Sequence, residues 1–108
     1  MAAENMTRTM FQQEMEKGSL MLVDYWAPWC GYCRRIGPAY DKIAQEKGEK
    51  MLVAKVNIDE ESLLAHQENI EVIPTLVLYK NGKAIASMVA PESKVGIDAF
   101  IRKSLEGV

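Results

Sequence analysis

Two cysteines, Cys30 and Cys33, stand two residues apart in the stretch WAPWCGYCRR at 26–35, and the chain has no third. A disulfide between them would close a loop too short to restrict the unfolded chain much, so the pair reads as chemical rather than as a staple. Two chemistries use this spacing. Thiol–disulfide exchange needs an attacking thiolate and a second thiol near enough to expel the partner from a mixed disulfide. Structural zinc needs four tetrahedral ligands, and beyond the pair the sequence offers one histidine, His66, in LLAHQEN with no motif around it. The ligand count favours exchange and leaves His66 a surface residue; neither metal nor cofactor is expected.

The elements that must position the pair follow from the apolar pattern. TRTMFQQEMEKG spaces Met10, Phe11 and Met15 for one helical face and stops at Gly18. LMLVDYW (20–26) and MLVAKVNI (51–58) have the length and bulk of buried strands, with a helical stretch from about Cys30 to Lys47 between them. Strand, helix, strand implies a parallel pair with a right-handed crossover, and Pro38 should kink the helix. DEESLLAHQEN (59–69) opens with an acidic first turn suited to a helix, TLVLY (75–79) reads as a strand, and KNGK is a hairpin signal. AIASMV (84–89) returns antiparallel, and SKVGIDAFIRKSL (93–105) places Val95, Phe100, Ile101 and Leu105 near one helical face. The expectation is an α/β fold, a mixed central sheet of four to five strands flanked by four helices, with AAENM a weak first strand.

Composition narrows the function classes. At 108 residues, with no repeat or linker, one domain over 1–108 is expected, large enough for a core of its own. Thirteen basic and fifteen acidic residues, scattered along the chain, give a net charge of −2 and no patch to attract nucleic acid or anionic lipid. MAAENMTRTMFQQEMEKG carries no apolar run suited to a signal peptide, and no later run approaches membrane-spanning length, so a cytoplasmic monomer is expected. Most of the seven methionines sit at core spacing.

VDYWAPWCGYCRRIGP, KVNID at 55–59, IPT at 73–75 and the NG hairpin, in that order, resemble the thioredoxin family from about residue 6 to the end. The resemblance implies the thioredoxin fold, with the cysteine pair opening the long helix. There Cys30 would meet unpaired backbone N–H groups and the positive end of the helix dipole, which stabilise a thiolate; Cys30 is then the nucleophile and Cys33, one turn in, the resolving thiol. Asp24 interrupts an otherwise apolar strand, where burial would raise its pKa. It reads either as a hydrogen-bonded or strand-edge carboxylate, or, as the resemblance implies, as the group beneath the dithiol that takes a proton from the resolving cysteine. Lys55 is either a solvated strand-end lysine or the neighbour that tunes Asp24. The resemblance further implies a substrate groove from Trp29, Gly31, Tyr32, Ile73, Pro74, Thr75 and Ala90, with Pro74 in a cis-proline loop. Trp26 is expected in the core and Trp29 at the rim.

Two positions depart from the family pattern, Tyr32 where proline is commonest and Ala90 where glycine is usual. With Cys30 as helix cap, the N–H groups of Tyr32 and Cys33 are expected to reach its sulfur, and Tyr32 then supplies a donor that proline lacks, favouring the reduced form by tens of millivolts. The functional expectation is a protein-disulfide reductase acting on protein disulfides and re-reduced, by resemblance, by an NADPH-dependent thioredoxin reductase. Its alternatives are a more oxidising oxidase or isomerase, and a thioredoxin-fold interaction module that binds without turnover.

Overall fold

The computed structural model describes residues 3–107. β1 (Glu4–Asn5), α1 (Arg8–Lys17), β2 (Met21–Trp26), α2 (Gly31–Lys47), β3 (Leu52–Asn57), α3 (Ser62–Gln67), β4 (Thr75–Lys80), β5 (Lys83–Val89) and α4 (Lys94–Glu106) follow in chain order. The strands form one sheet in the order β1-β3-β2-β4-β5. β1, β3 and β2 run parallel, while β4 is antiparallel to both β2 and β5. No described helix is long and apolar enough to cross a membrane.

The local chemistry sets the element ends. Thr7 caps α1 by accepting from the Met10 N–H, and Gly18, at φ 73°, closes it with N–H bonds from Gly18 to Met15 and from Ser19 to Glu14. Asn81 (φ 54°) and Gly82 (φ 79°) turn the β4–β5 hairpin, both in the left-handed region that a two-residue primed turn requires. Ser93 caps α4 through the Gly96 N–H.

β2 is buried on both faces. Leu22 packs with Ile36, Tyr40 and Ile43 of α2 and with Ile97 and Ile101 of α4. Met21, Val23 and Tyr25 pack on the other face with Phe11, Leu64, Val77 and Tyr79. Strand alternation puts Asp24 on the α2–α4 side. Of the methionines, Met6, Met21 and Met51 are buried, and Met10 and Met15 pack against the core.

Three expectations change. The third helix covers only 62–67 of the expected 59–69, because the N–H groups of Asp59 and Glu61 bond into the Asn57 turn instead. Val95 is 77% exposed; the inward face of α4 is carried by Ile97 and Ile101. Trp26, at the end of β2, is only half-buried.

Candidate active site

Cys30 adopts an extended conformation (φ −85°, ψ 107°) that ends the incoming loop and caps α2. Its sulfur accepts the Cys33 N–H at 3.1 Å. Of the two donors expected at that sulfur, the structure supplies Cys33 and not Tyr32, whose place in the site is set instead by its hydroxyl, which donates to the Pro91 carbonyl at 2.9 Å. Cys30 and Cys33 are disulfide-bonded, with Cα atoms 5.3 Å apart. The two sulfurs differ in access, for Cys30 is half-buried while Cys33 is 3% exposed. A helix N-terminus and its dipole favour negative charge at the outer of the two.

Behind Cys33 lies a cavity of about 210 Å³, lined by Asp24, Trp26, Gly37, Tyr40 and Lys55 among others. Asp24 is 3% exposed and its Oδ1 has no hydrogen-bond partner among the described residues. Burial pushes its pKa up to about 7; the Lys55 charge draws it down and Asp41 raises it further. Lys55 stands directly opposite Asp24 in the parallel β2–β3 register, and its ammonium lies 4.9 Å from the centre of the Trp26 ring. The Tyr40 hydroxyl donates to the Ala54 carbonyl at 2.6 Å and lies 3.1 Å from that of Leu22, bridging β2 and β3 beneath the cavity.

The remaining residues expected at the site are placed as follows. Trp29 is 67% exposed, and its indole N–H donates to Asp59 at 2.9 Å, which orients the ring. A Cβ at Gly31 would meet no atom within 4 Å, so the turn there is bare toward solvent. The Ile73–Pro74 bond is cis; Pro74 and Thr75 are buried, Ile73 is half-buried, and the Thr75 hydroxyl donates to the Val72 carbonyl at 2.7 Å. The Ala90 N–H donates to the Pro74 carbonyl at 2.9 Å with Ala90 at φ 47°, which explains on steric grounds why glycine suits this position. His66 is exposed on α3.

The sequence reading missed Asp59, Tyr40 and Pro91. Asp59 lay within the KVNID stretch with no sign that it reaches Trp29. Tyr40 had a signal, since Cys33, Gly37 and Tyr40 recur at helical spacing and so share one face of α2. Pro91 contributes only a carbonyl, which leaves no mark on sequence.

A disulfide that caps a helix, over a mixed sheet and beside a buried carboxyl, defines a thiol–disulfide oxidoreductase. The chain belongs to the thioredoxin family: the family model "Thioredoxin" matches residues 2–103. It is 40% identical over 105 residues to Thioredoxin 1 of Nostoc sp., covering 96% of this chain and 98% of that protein. It is 33% identical over 105 residues to the thioredoxin of Bacillus subtilis, covering 97% and 100% respectively. Among solved structures, a thioredoxin of Plasmodium falciparum superimposes with a TM-score of 0.85 at 31% identity, covering 94% of this chain and 98% of that one.

Proposed function

We propose that this protein reduces protein disulfides through a mixed disulfide on Cys30. The observation that carries the reading is the unequal burial of the two sulfurs, the outer one at a helix N-terminus and the inner one against the Asp24 cavity. In the dithiol form the Cys30 thiolate attacks a client sulfur; the client S–S bond breaks and one client thiolate leaves. Cys33 gives its proton to ionised Asp24, and its thiolate attacks Cys30 Sγ. The second client thiolate is released, and the Cys30–Cys33 disulfide holds the oxidising equivalents. Two electrons pass from the dithiol to the client. A carboxyl titrating at about 7 suits this task, being ionised often enough near neutral pH to accept a proton and basic enough to hold it.

Lys55 acts by lowering the Asp24 pKa within reach of neutrality. Trp29, Gly31, Tyr32, Ile73, cis-Pro74, Thr75 and Ala90 form the groove that receives the client chain, a reading supported by the exposed Trp29 ring held on Asp59, the open turn at Gly31 and the Ala90 N–H bond to the Pro74 carbonyl. An NADPH-dependent thioredoxin reductase returns the electrons, and the whole chain works as one domain, monomeric and cytoplasmic, without metal or cofactor of its own.

The test is the reduction of insulin by dithiothreitol with and without the protein, together with two variants. Acceleration by the native protein is expected, with Cys33→Ser accumulating clients as mixed disulfides on Cys30 and Cys30→Ser accumulating none. Trapping by Cys30→Ser alone would reverse the roles, and no acceleration by the native protein would leave a binding module.

A further inference from the structure

The cavity behind Cys33 has a second carboxylate in its wall, Asp41, beside Asp24, Arg34, Tyr40 and Lys55. Helical spacing brings it there, since Cys33, Gly37 and Asp41 follow at intervals of four and share one face of α2. Two bonds from different directions fix it. The hydroxyl of the preceding Tyr40 donates to the Ala54 carbonyl at 2.6 Å and seats this turn of α2 on β3. The Ala3 N–H donates to Asp41 Oδ1 at 3.1 Å, across 38 residues of sequence. Ala3 is buried and leads into β1, which pairs Glu4 with Ala54 and Asn5 with Lys55 and ends with the Met6 N–H on the Lys55 carbonyl at 2.9 Å. The N-terminal segment therefore grips two charged residues of the cavity, Asp41 by its side chain and Lys55 by its backbone. Few groups face Asp24: Lys55 from β3, Cys33, Arg34, Tyr40 and Asp41 from α2, and the apolar Leu76 opposite it on β4. Asp41, Arg34 and Lys55 make no ion pair among the described residues. Of these charges, Lys55 lowers the Asp24 pKa and Asp41 raises it.

We infer that Asp41 is a positioning residue of the resolving step, acting through Asp24: its carboxylate, pinned in the cavity wall by the N-terminal segment, opposes a second negative charge there and makes Asp24 hold the proton it takes from Cys33. Lys55 pulls the other way. The basicity of Asp24 is thus a balance of two opposed charges, both gripped by one short strand. Loss of that grip unbalances it in one direction. Lys55 stays opposite Asp24 through the β2–β3 pairing, whereas the Asp41 side chain is freed to turn toward solvent, so Asp24 becomes the weaker base.

The inference rests on the reductase reading, and the experiment separates the two. Asp41→Asn keeps an oxygen for the Ala3 N–H and removes the charge, while Ala3→Pro keeps the charge and removes the N–H that holds it. In the oxidised protein, where neither cysteine titrates, the Asp24 carboxyl carbon is followed by NMR as pH is raised, its resonance identified by its loss in Asp24→Asn. Its midpoint falls by roughly half a pH unit to one unit in Asp41→Asn, the effect of a charge several ångströms away at an effective dielectric of about 20, and by less in Ala3→Pro. Release of the second client thiol in single turnover follows the midpoint. On the acid side of it Asp41→Asn resolves roughly three- to tenfold faster than the native protein, and on the alkaline side it is no faster. A purely structural Asp41 would change stability and leave the midpoint in place. A midpoint unmoved or raised in Asp41→Asn overturns the inference, and the reductase reading stands if the native resolving step still follows the Asp24 titration. A shift in Asp41→Asn with none in Ala3→Pro overturns the role given to the N-terminal segment. A native protein that reduces no client overturns both readings.

Discussion

Each face of the sheet buries a polar system, and the two are built in opposite ways. On the α1–α3 face the Tyr25 hydroxyl donates to that of Tyr79 at 2.7 Å, and Tyr79 donates in turn to Glu68 at 2.8 Å. Every hydroxyl there has a partner, and the Tyr79 ring meets Phe11 edge-on at 5.1 Å. On the α2–α4 face, one strand position to either side of Tyr25, Asp24 Oδ1 and the Trp26 indole N–H are buried with no partner among the described residues, beside a cavity that reaches Cys33. A satisfied network adds rigidity, while an unsatisfied carboxyl costs stability and holds its proton near neutral pH. The difference sets polar groups that hold the fold apart from one that, in the proposed mechanism, moves a proton.

The sharpest way to break that comparison is to remove Asp24. The shift from 3.8 to about 7, at about 1.4 kcal/mol per unit, corresponds to on the order of 4 kcal/mol against the folded, ionised form. We expect Asp24→Ala to raise stability by about 2–4 kcal/mol at pH 8, the new void offsetting part of the gain, while client reduction slows. Urea denaturation and insulin turnover read the two effects. A variant less stable than the native protein would place Asp24 with the structural groups.

The same shift fixes a pH dependence. Because the folded-state pKa is raised, the native state holds more protons than the unfolded one between about 4 and 7, so the native protein loses this contribution as pH rises through that window. Below the unfolded pKa both states are protonated and the penalty vanishes. The stability gap between Asp24→Ala and the native protein should therefore be small at pH 4, widen up to about pH 7 and stay constant above it. In the other direction, the resolving step should quicken as pH rises through about 7 and lose that dependence in Asp24→Asn. A gap that stays flat from pH 4 to 8 would falsify the placement of this titration on Asp24.

The tyrosine network should answer oppositely. Tyr79→Phe keeps the ring packing and removes the central hydroxyl, leaving the Tyr25 hydroxyl without its acceptor and Glu68 Oε1 without its donor, while Glu68 Oε2 keeps its bond from Gln67. A loss of about 1–3 kcal/mol is expected, the cost of stranding buried polar groups, with the rate of insulin reduction per folded molecule unchanged. A slower rate at unchanged stability would mean that the two faces are not separable.

How much of this was legible beforehand differs along the same line. The buried strands, the hairpin and the cysteine motif announce themselves, because apolar runs, an Asn-Gly turn and a Cys-x-x-Cys spacing are local properties. Asp24 was legible as an anomaly in an apolar strand, though its lack of partners depends on what α2 and β3 bring near it. The α4 face was misjudged at Val95, since helical periodicity gives a stripe but not which neighbour covers each end of it. Glu68 and Pro91 were illegible, as each acts on a residue brought close only by the assembled sheet and loops.

The smallest expected effect lies at Ala90, between the two regimes. Its φ of 47° is left-handed, which costs a non-glycine residue roughly 1–2 kcal/mol. Glycine removes that cost but gives the unfolded chain more freedom, an offset of roughly 0.4–1 kcal/mol. The N–H bond from position 90 to the Pro74 carbonyl is a backbone bond and survives the change. Ala90→Gly should therefore raise stability by roughly 0.5–1 kcal/mol, a few degrees in the thermal midpoint of a chain this size. A lowered midpoint would show that the Ala90 methyl group makes contacts that outweigh its backbone strain, and would move this residue to the side of the groups that hold the fold.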